Sequence, residues 1–122
     1  FPAPSLEERY GTVGDFLAVV GRPQDEALVR STRTAVHREG LRAESLLAPP
    51  SVTGVDFSDH RNYWDQGMTA IMITDTAFFR NPNYHEAGDT PDTLDFDRLQ
   101  LAVHGVHDAI TAWQSSTEPS SR

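Results

Sequence analysis

The run Thr69-Ala70-Ile71-Met72-Ile73-Thr74 constrains this chain most, because it is short, apolar and followed at once by a long polar loop, residues 75–94. A run of that length and composition suits a strand buried in a sheet. The loop is broken by Pro82, Gly88 and Pro91. It carries Tyr84 and His85 side by side, with Asp89 and Thr90 close behind. Open α/β sheets present their sites on loops leaving the carboxyl ends of strands, and a loop this long in a compact domain is more often functional than idle. The candidate chemistry therefore lies between Ser58 and Pro91.

The remaining segments build a frame around that loop. Residues 1–13 hold two prolines, Gly11 and no periodicity, and read as loop. Asp15 to Val20 is nearly continuous apolar sequence between Gly14 and Gly21, which predicts a strand over 15–20 buried on both faces. Pro23, with Asp25 and Glu26 behind it, opens a helix over 24–38 that Gly40 ends. A second apolar run gives a strand over 42–47, parallel to the first because a helix separates them. Ser58 is the expected N-cap of a short helix over 59–66, closed by Gly67. Asp95 caps the last helix, 96–114. Its apolar positions Phe96, Leu99, Val103, Val106, Ile110 and Trp113 recur every three or four residues. Residues 115–122 read as a frayed tail. Strands 15–20, 42–47 and 69–74 are expected in one sheet, with the two long helices packed on it.

Composition serves mainly to exclude. The 122 residues suit one domain or a large piece of one, and a net charge of −8 offers no basic surface for nucleic acid or an anionic membrane. No apolar run is long enough to span a bilayer. With no cysteine, disulfides and thiolate metal sites are excluded. The chain begins at Phe1 rather than Met, which points to processing or to a cloned boundary.

Within the loop, His85 lies between a phenol, Tyr84, and a carboxylate, Asp89. A ligating imidazole needs a partner to fix its tautomer, but one histidine cannot hold a catalytic zinc, which takes about three protein ligands. Ser58, Asp59 and His60 have the residue types of a hydrolase triad. As sequence neighbours they cannot form its relay. They read as a helix N-terminus, or as support for a site built by the next strand. Arg80 can bind a carboxylate or clamp the loop's own carbonyls. His104 and His107 stand three apart on the last helix with no third ligand evident.

Taken together these residues resemble a known family. Ser58-Asp59-His60, Gly67, Thr74-Asp75-Thr76, Arg80-Asn81-Pro82, Tyr84-His85 and Asp89-Thr90-Pro91-Asp92-Thr93 are similar to the C-terminal part of the zinc-dependent aminopeptidases. That family also includes glutamate carboxypeptidase, the transferrin receptor ectodomain and glutaminyl cyclase. Gly14 to Gly21 also looks like one of its strands, so the resemblance covers most of residues 14–114. Many fixed types at fixed spacing carry more weight than a lone motif.

The resemblance implies an α/β fold, part of a three-layer αβα sandwich with a mixed, largely parallel sheet, and a centre of two zinc ions. It makes His85 a zinc ligand and Tyr84 the catalytic hydroxyl that steadies the oxyanion. Asp59, His60, Arg80 and Asp89 are left as supporting or substrate-loop residues. The family's other ligands and its general-base glutamate have no counterpart here, so the resemblance implies that residues 1–122 are the C-terminal portion of one catalytic domain, inactive alone. Its partners would be a peptide substrate and either the rest of its polypeptide or a second copy. Many relatives are secreted, which favours the exterior or cell envelope while leaving the compartment open. The alternative is a peptidase-like binding module without catalysis.

Overall fold

The computed structural model describes residues 4–117. They form a mixed α/β unit around a three-stranded sheet of order β2-β1-β3, where β1 is Leu17–Gly21, β2 Ala43–Leu47 and β3 Met72–Thr74. β1 and β2 run parallel, with Leu17 beside Ala43 and Gly21 beside Leu47. β1 and β3 run antiparallel, with Val19 beside Ile73. The three apolar runs thus share one sheet as expected. One of its two pairings is parallel, and β3 is shorter than the run that encodes it.

A 3₁₀ turn at Pro23–Asp25 leads into α2, Glu26–Arg38, which ends where Gly40 adopts φ 86°. α2 packs on β1 and β2 through Val29, Thr32, Ala35 and Val36, all buried. On the other side of the sheet Phe16, Ala18, Val20 and Met72 meet Tyr10, Val55 and Trp64. Tyr10 belongs to α1, Pro4–Tyr10, and Trp64 to α3, His60–Asp65. The helix α1 corrects the reading of residues 1–13 as loop. Seven residues are too few for a periodic signal, and Tyr10 docks by stacking on Phe16 at 5.8 Å and donating its hydroxyl to the Ser45 carbonyl at 3.2 Å. Burial raises the Tyr10 pKa above its ordinary value. Phe1 to Ala3 lie outside the described residues.

Ser58 does not cap α3. Asp59 holds that position, without a side-chain hydrogen bond to the helix, and Gly67 at φ 74° closes the turn beyond it. The loop 75–94 contains a four-residue helical turn, α4 (Ala77–Arg80), and a 3₁₀ turn at Pro91–Thr93. The last helix, α5 (Phe96–Thr117), starts as predicted: the Asp95 carboxylate accepts from the Arg98 amide at 3.0 Å. It runs past residue 114, and the rest of the expected frayed tail, 118–122, lies outside the described residues.

α5 packs differently from the expectation. It rests on α2 rather than squarely on the sheet, with Gly105 and Ala109 buried at the contact. Small residues there let the two backbones approach closely. A Cβ on Gly105 would lie 2.7 Å from the Val36 Cα, a backbone atom that cannot swing aside. Gly105→Ala should gain about 1 kcal/mol of helix propensity and lose about 1–3 kcal/mol to overpacking. Urea unfolding should therefore show a net loss, and a stabilised variant would mean that the helices are not in this contact.

Candidate functional site

β3 delivers the chain into a tight turn. Thr76 is buried in the left-handed region, φ 65°. Its amide donates to the Thr74 hydroxyl at 3.0 Å, and the Ala77 amide donates to the Asp75 carboxylate at 2.9 Å. From α4, Arg80 reaches back. Its Nε donates to the Thr76 hydroxyl at 2.7 Å, its Nη1 to the Thr12 carbonyl at 2.8 Å, and its guanidinium carbon lies 5.3 Å from the Phe16 ring centre. A Cβ on Gly14 would meet the Arg80 Cδ at 2.8 Å, so the side chain needs that glycine. Arg80 is a clamp between the loop's root and residues 11–14, the second of the two roles open to it in the sequence.

Beyond Arg80 the loop folds on itself. The Asn81 side chain donates from Nδ2 to the Asp89 carboxylate at 3.0 Å and accepts from the Asn83 amide at 2.9 Å. Successive turns follow, with the Tyr84 amide on the Asn81 carbonyl and the Glu86 amide on the Asn83 carbonyl. These turns place His85 at φ 61°, which is costly for a non-glycine residue. Its ring stacks on Tyr84, centroids 4.0 Å apart and planes 17° off parallel, and both residues are exposed. Neither ring nitrogen of His85 has a hydrogen-bond partner among the described residues. Tyr84 lies 6.2 Å from Phe78, which with Phe79 walls an apolar cavity of about 50 Å³ under the sheet. At the loop's end a hydrogen bond from Thr90 holds the Asp92 carboxylate below its ordinary pKa.

The loop therefore gathers Arg80, Tyr84, His85 and Asp89, although Asp89 is tied to Asn81 rather than to His85. Asp59 and His60 take no part in these bonds. Asp59 is exposed at the start of α3. His60 is buried. Its Nε2 donates to the Val55 carbonyl at 2.7 Å, its ring meets Trp64 edge-on at 4.5 Å, and its Nδ1 is buried without a partner. His60 braces the 49–57 segment. His104 faces Glu39 at 3.9 Å and His107 faces Asp108 at 3.3 Å, both exposed. Among the described residues no three His, Asp or Glu side chains come together as a metal site. The aromatic cluster around Phe78, with Phe79 at 4.3 Å, Phe57 at 5.5 Å and Tyr84 at 6.2 Å between ring centres, was not predicted; the adjacent phenylalanines 78 and 79 are its trace in the sequence.

Over 107 residues the chain is 46% identical to the uncharacterized protein YfbL of Escherichia coli (strain K12), a match that spans 87% of this chain and 33% of that protein. The chain thus covers about a third of the length of the curated relative it matches. No family model and no solved structure matches it.

Proposed function

We propose that this chain is the C-terminal portion of a zinc-dependent aminopeptidase, built as part of a three-layer αβα sandwich. The observation that carries the reading is His85 itself. An exposed imidazole with both nitrogens free of partners among the described residues, in a strained backbone conformation and stacked on an exposed phenol, leaves a ring nitrogen open to a metal, although the Asp89 carboxylate that would fix its tautomer is bonded to Asn81 instead. Strain of this kind collects at functional sites. The chain alone does not make a zinc centre, since it supplies one such donor where a catalytic zinc takes about three. The remaining donors belong to the rest of the proposed domain. When bound, zinc would polarise the scissile carbonyl and activate water. The residues here do the rest: Arg80 and the Asn81–Asp89 bond hold the loop, and Tyr84 keeps an exposed phenol stacked beside His85.

Two measurements test the reading. This chain should bind zinc weakly, and His85→Ala should abolish what binding there is. Tight one-to-one binding that survives His85→Ala, read by calorimetry, would relocate the site. Purified YfbL should contain zinc and release N-terminal residues from peptides, sensitive to chelators. A metal-free YfbL that binds peptides without cleaving them would favour a binding module instead.

A further inference from the structure

We propose that His60 is an acid-sensitive latch. Neutral, it pins the 49–57 segment in place; on taking a proton it leaves its seat and loosens that segment's hold on the loop of Tyr84 and His85. The latch needs no metal, so it is separate from the zinc reading and can fail without it. His60 is 6% exposed, enclosed by Val55 and Trp64 of this same chain. The Val55 carbonyl, 2.7 Å from Nε2, can only accept, so Nε2 carries the ring proton of the neutral form. Nδ1 is then a bare lone pair, buried and without a partner among the described residues.

Acid changes what this seat must hold. An imidazolium donates from both nitrogens, and the new N–H at Nδ1 would meet no acceptor. Burying an unmade donor on a charged ring is strongly unfavourable. The surrounding charges give no relief. Asp59 is exposed at the start of α3, and Asp56 before it pairs with Arg61 at 3.4 Å. Ahead of α2, Asp25 is bound to Arg22, whose guanidinium lies over the Trp64 ring that His60 also meets. A charged His60 would bring a second cation to that ring. From the sheet come Ala18, Val20 and Met72, while Glu44 of β2 pairs with Arg42 and Tyr10 of α1 donates to the Ser45 carbonyl. The neutral ring fits this seat and the charged ring does not.

What His60 holds reaches the loop through direct contacts. Val55 is 1% exposed, and its neighbour Gly54, at φ 94°, lies so near Phe78 that a Cβ there would meet the ring at 2.8 Å. Phe57 lies 5.5 Å from the same ring and Tyr84 6.2 Å from it, and His85 stacks on Tyr84. The 54–57 backbone therefore sets where Phe78 stands, and Phe78 backs Tyr84. Coupling between distant groups requires an element with two arrangements. The seated and the expelled imidazole are those two, and protonation of histidine is a known way to bias such an element.

Melting and hydrogen exchange of the full chain test the latch, with His60→Gln as the comparison. A glutamine amide can still donate to the Val55 carbonyl and takes no proton. Between about pH 8 and about pH 5, the melting temperature of the parent should fall by about 4–8 °C more than that of the variant. His37, His85, His104 and His107 are exposed and common to both proteins, so their effects cancel. The amides of Val55, Phe79 and Tyr84 are each bonded to a backbone carbonyl. At the acid end they should exchange faster in the parent than in the variant, and at the alkaline end alike. Parallel acid profiles for the two proteins would overturn the proposal, and so would a parent whose melting falls while those amides stay protected. Should His60→Gln not fold, NMR of the ring nitrogens in the parent decides. His60 should be the Nε2–H tautomer at the alkaline end, and its protonation should coincide with movement of the Tyr84 signals. An imidazolium that keeps its bond to Val55, or one that leaves the Tyr84 signals in place, would equally overturn it.

Discussion

Asp25→Ala should cost about 3–5 kcal/mol, a large fraction of the stability of a domain of this size. The Asp25 side chain has no exposed surface and that of Arg22 is 11% exposed. The carboxylate accepts from the Arg22 Nε at 2.7 Å, from its Nη2 at 3.1 Å and from its amide at 3.2 Å. Arg22 also donates to the Met68 carbonyl at 2.9 Å and lies over Trp64 at 5.0 Å, so one pair ties the start of α2 to the segment entering β3. The hydrogen bond to Asp25 raises the Arg22 pKa, and arginine does not discharge in proteins. Truncating Asp25 therefore leaves the guanidinium without its counter-charge in a nearly closed site, with the Met68 carbonyl and the Trp64 ring still against it. Removing both charges as Arg22→Met with Asp25→Leu should cost much less than Asp25→Ala alone, because no orphan charge remains. Urea unfolding of the three variants decides it. Equal losses for the single and double variants would mean that packing, not charge, holds this corner.

Much of the frame could be read in advance because local pattern and tertiary role agree there. The 15–20 run is apolar from Phe16 onward and supplies most of the central strand, Leu17–Gly21. Gly40 and Gly67 stop their helices at positive φ, as their positions imply. The reading failed where the deciding partner is distant in sequence. α5 was recognised by its apolar stripe, and a stripe is ordinarily the buried face. Here Gly105 and Ala109 make the contact, because only small residues admit Val36 so closely, and much of the stripe stays in solvent. Arg80 finds Thr12, 68 residues away, a pairing that no local pattern encodes. In the loop, adjacency alone placed Tyr84 beside His85, whereas the burial of His60 depends on Val55 and Trp64 closing over it.

In a complete peptidase domain carrying this loop, Tyr84→Phe should lower kcat by about 10²–10³-fold, or about 2.7–4 kcal/mol of barrier, the usual effect of removing one oxyanion donor. The substitution is suited to the question because it deletes one oxygen and keeps the ring. Stacking on His85 at 4.0 Å and the approach to Phe78 both survive, so the loop should keep its shape. A donor that acts only as charge develops on the carbonyl oxygen affects kcat and kcat/KM alike and leaves KM nearly unchanged. Zinc content should also be unchanged, which separates this variant from His85→Ala, where metal and activity should fall together. Asn81→Ala provides the third comparison. It frees Asp89 and lets the turns around Asn83 open, so it should disturb the positions of Tyr84 and His85 jointly and weaken both metal retention and turnover. If Tyr84→Phe instead raises KM with kcat intact, the hydroxyl binds the substrate's ground state and contributes nothing to the chemical step.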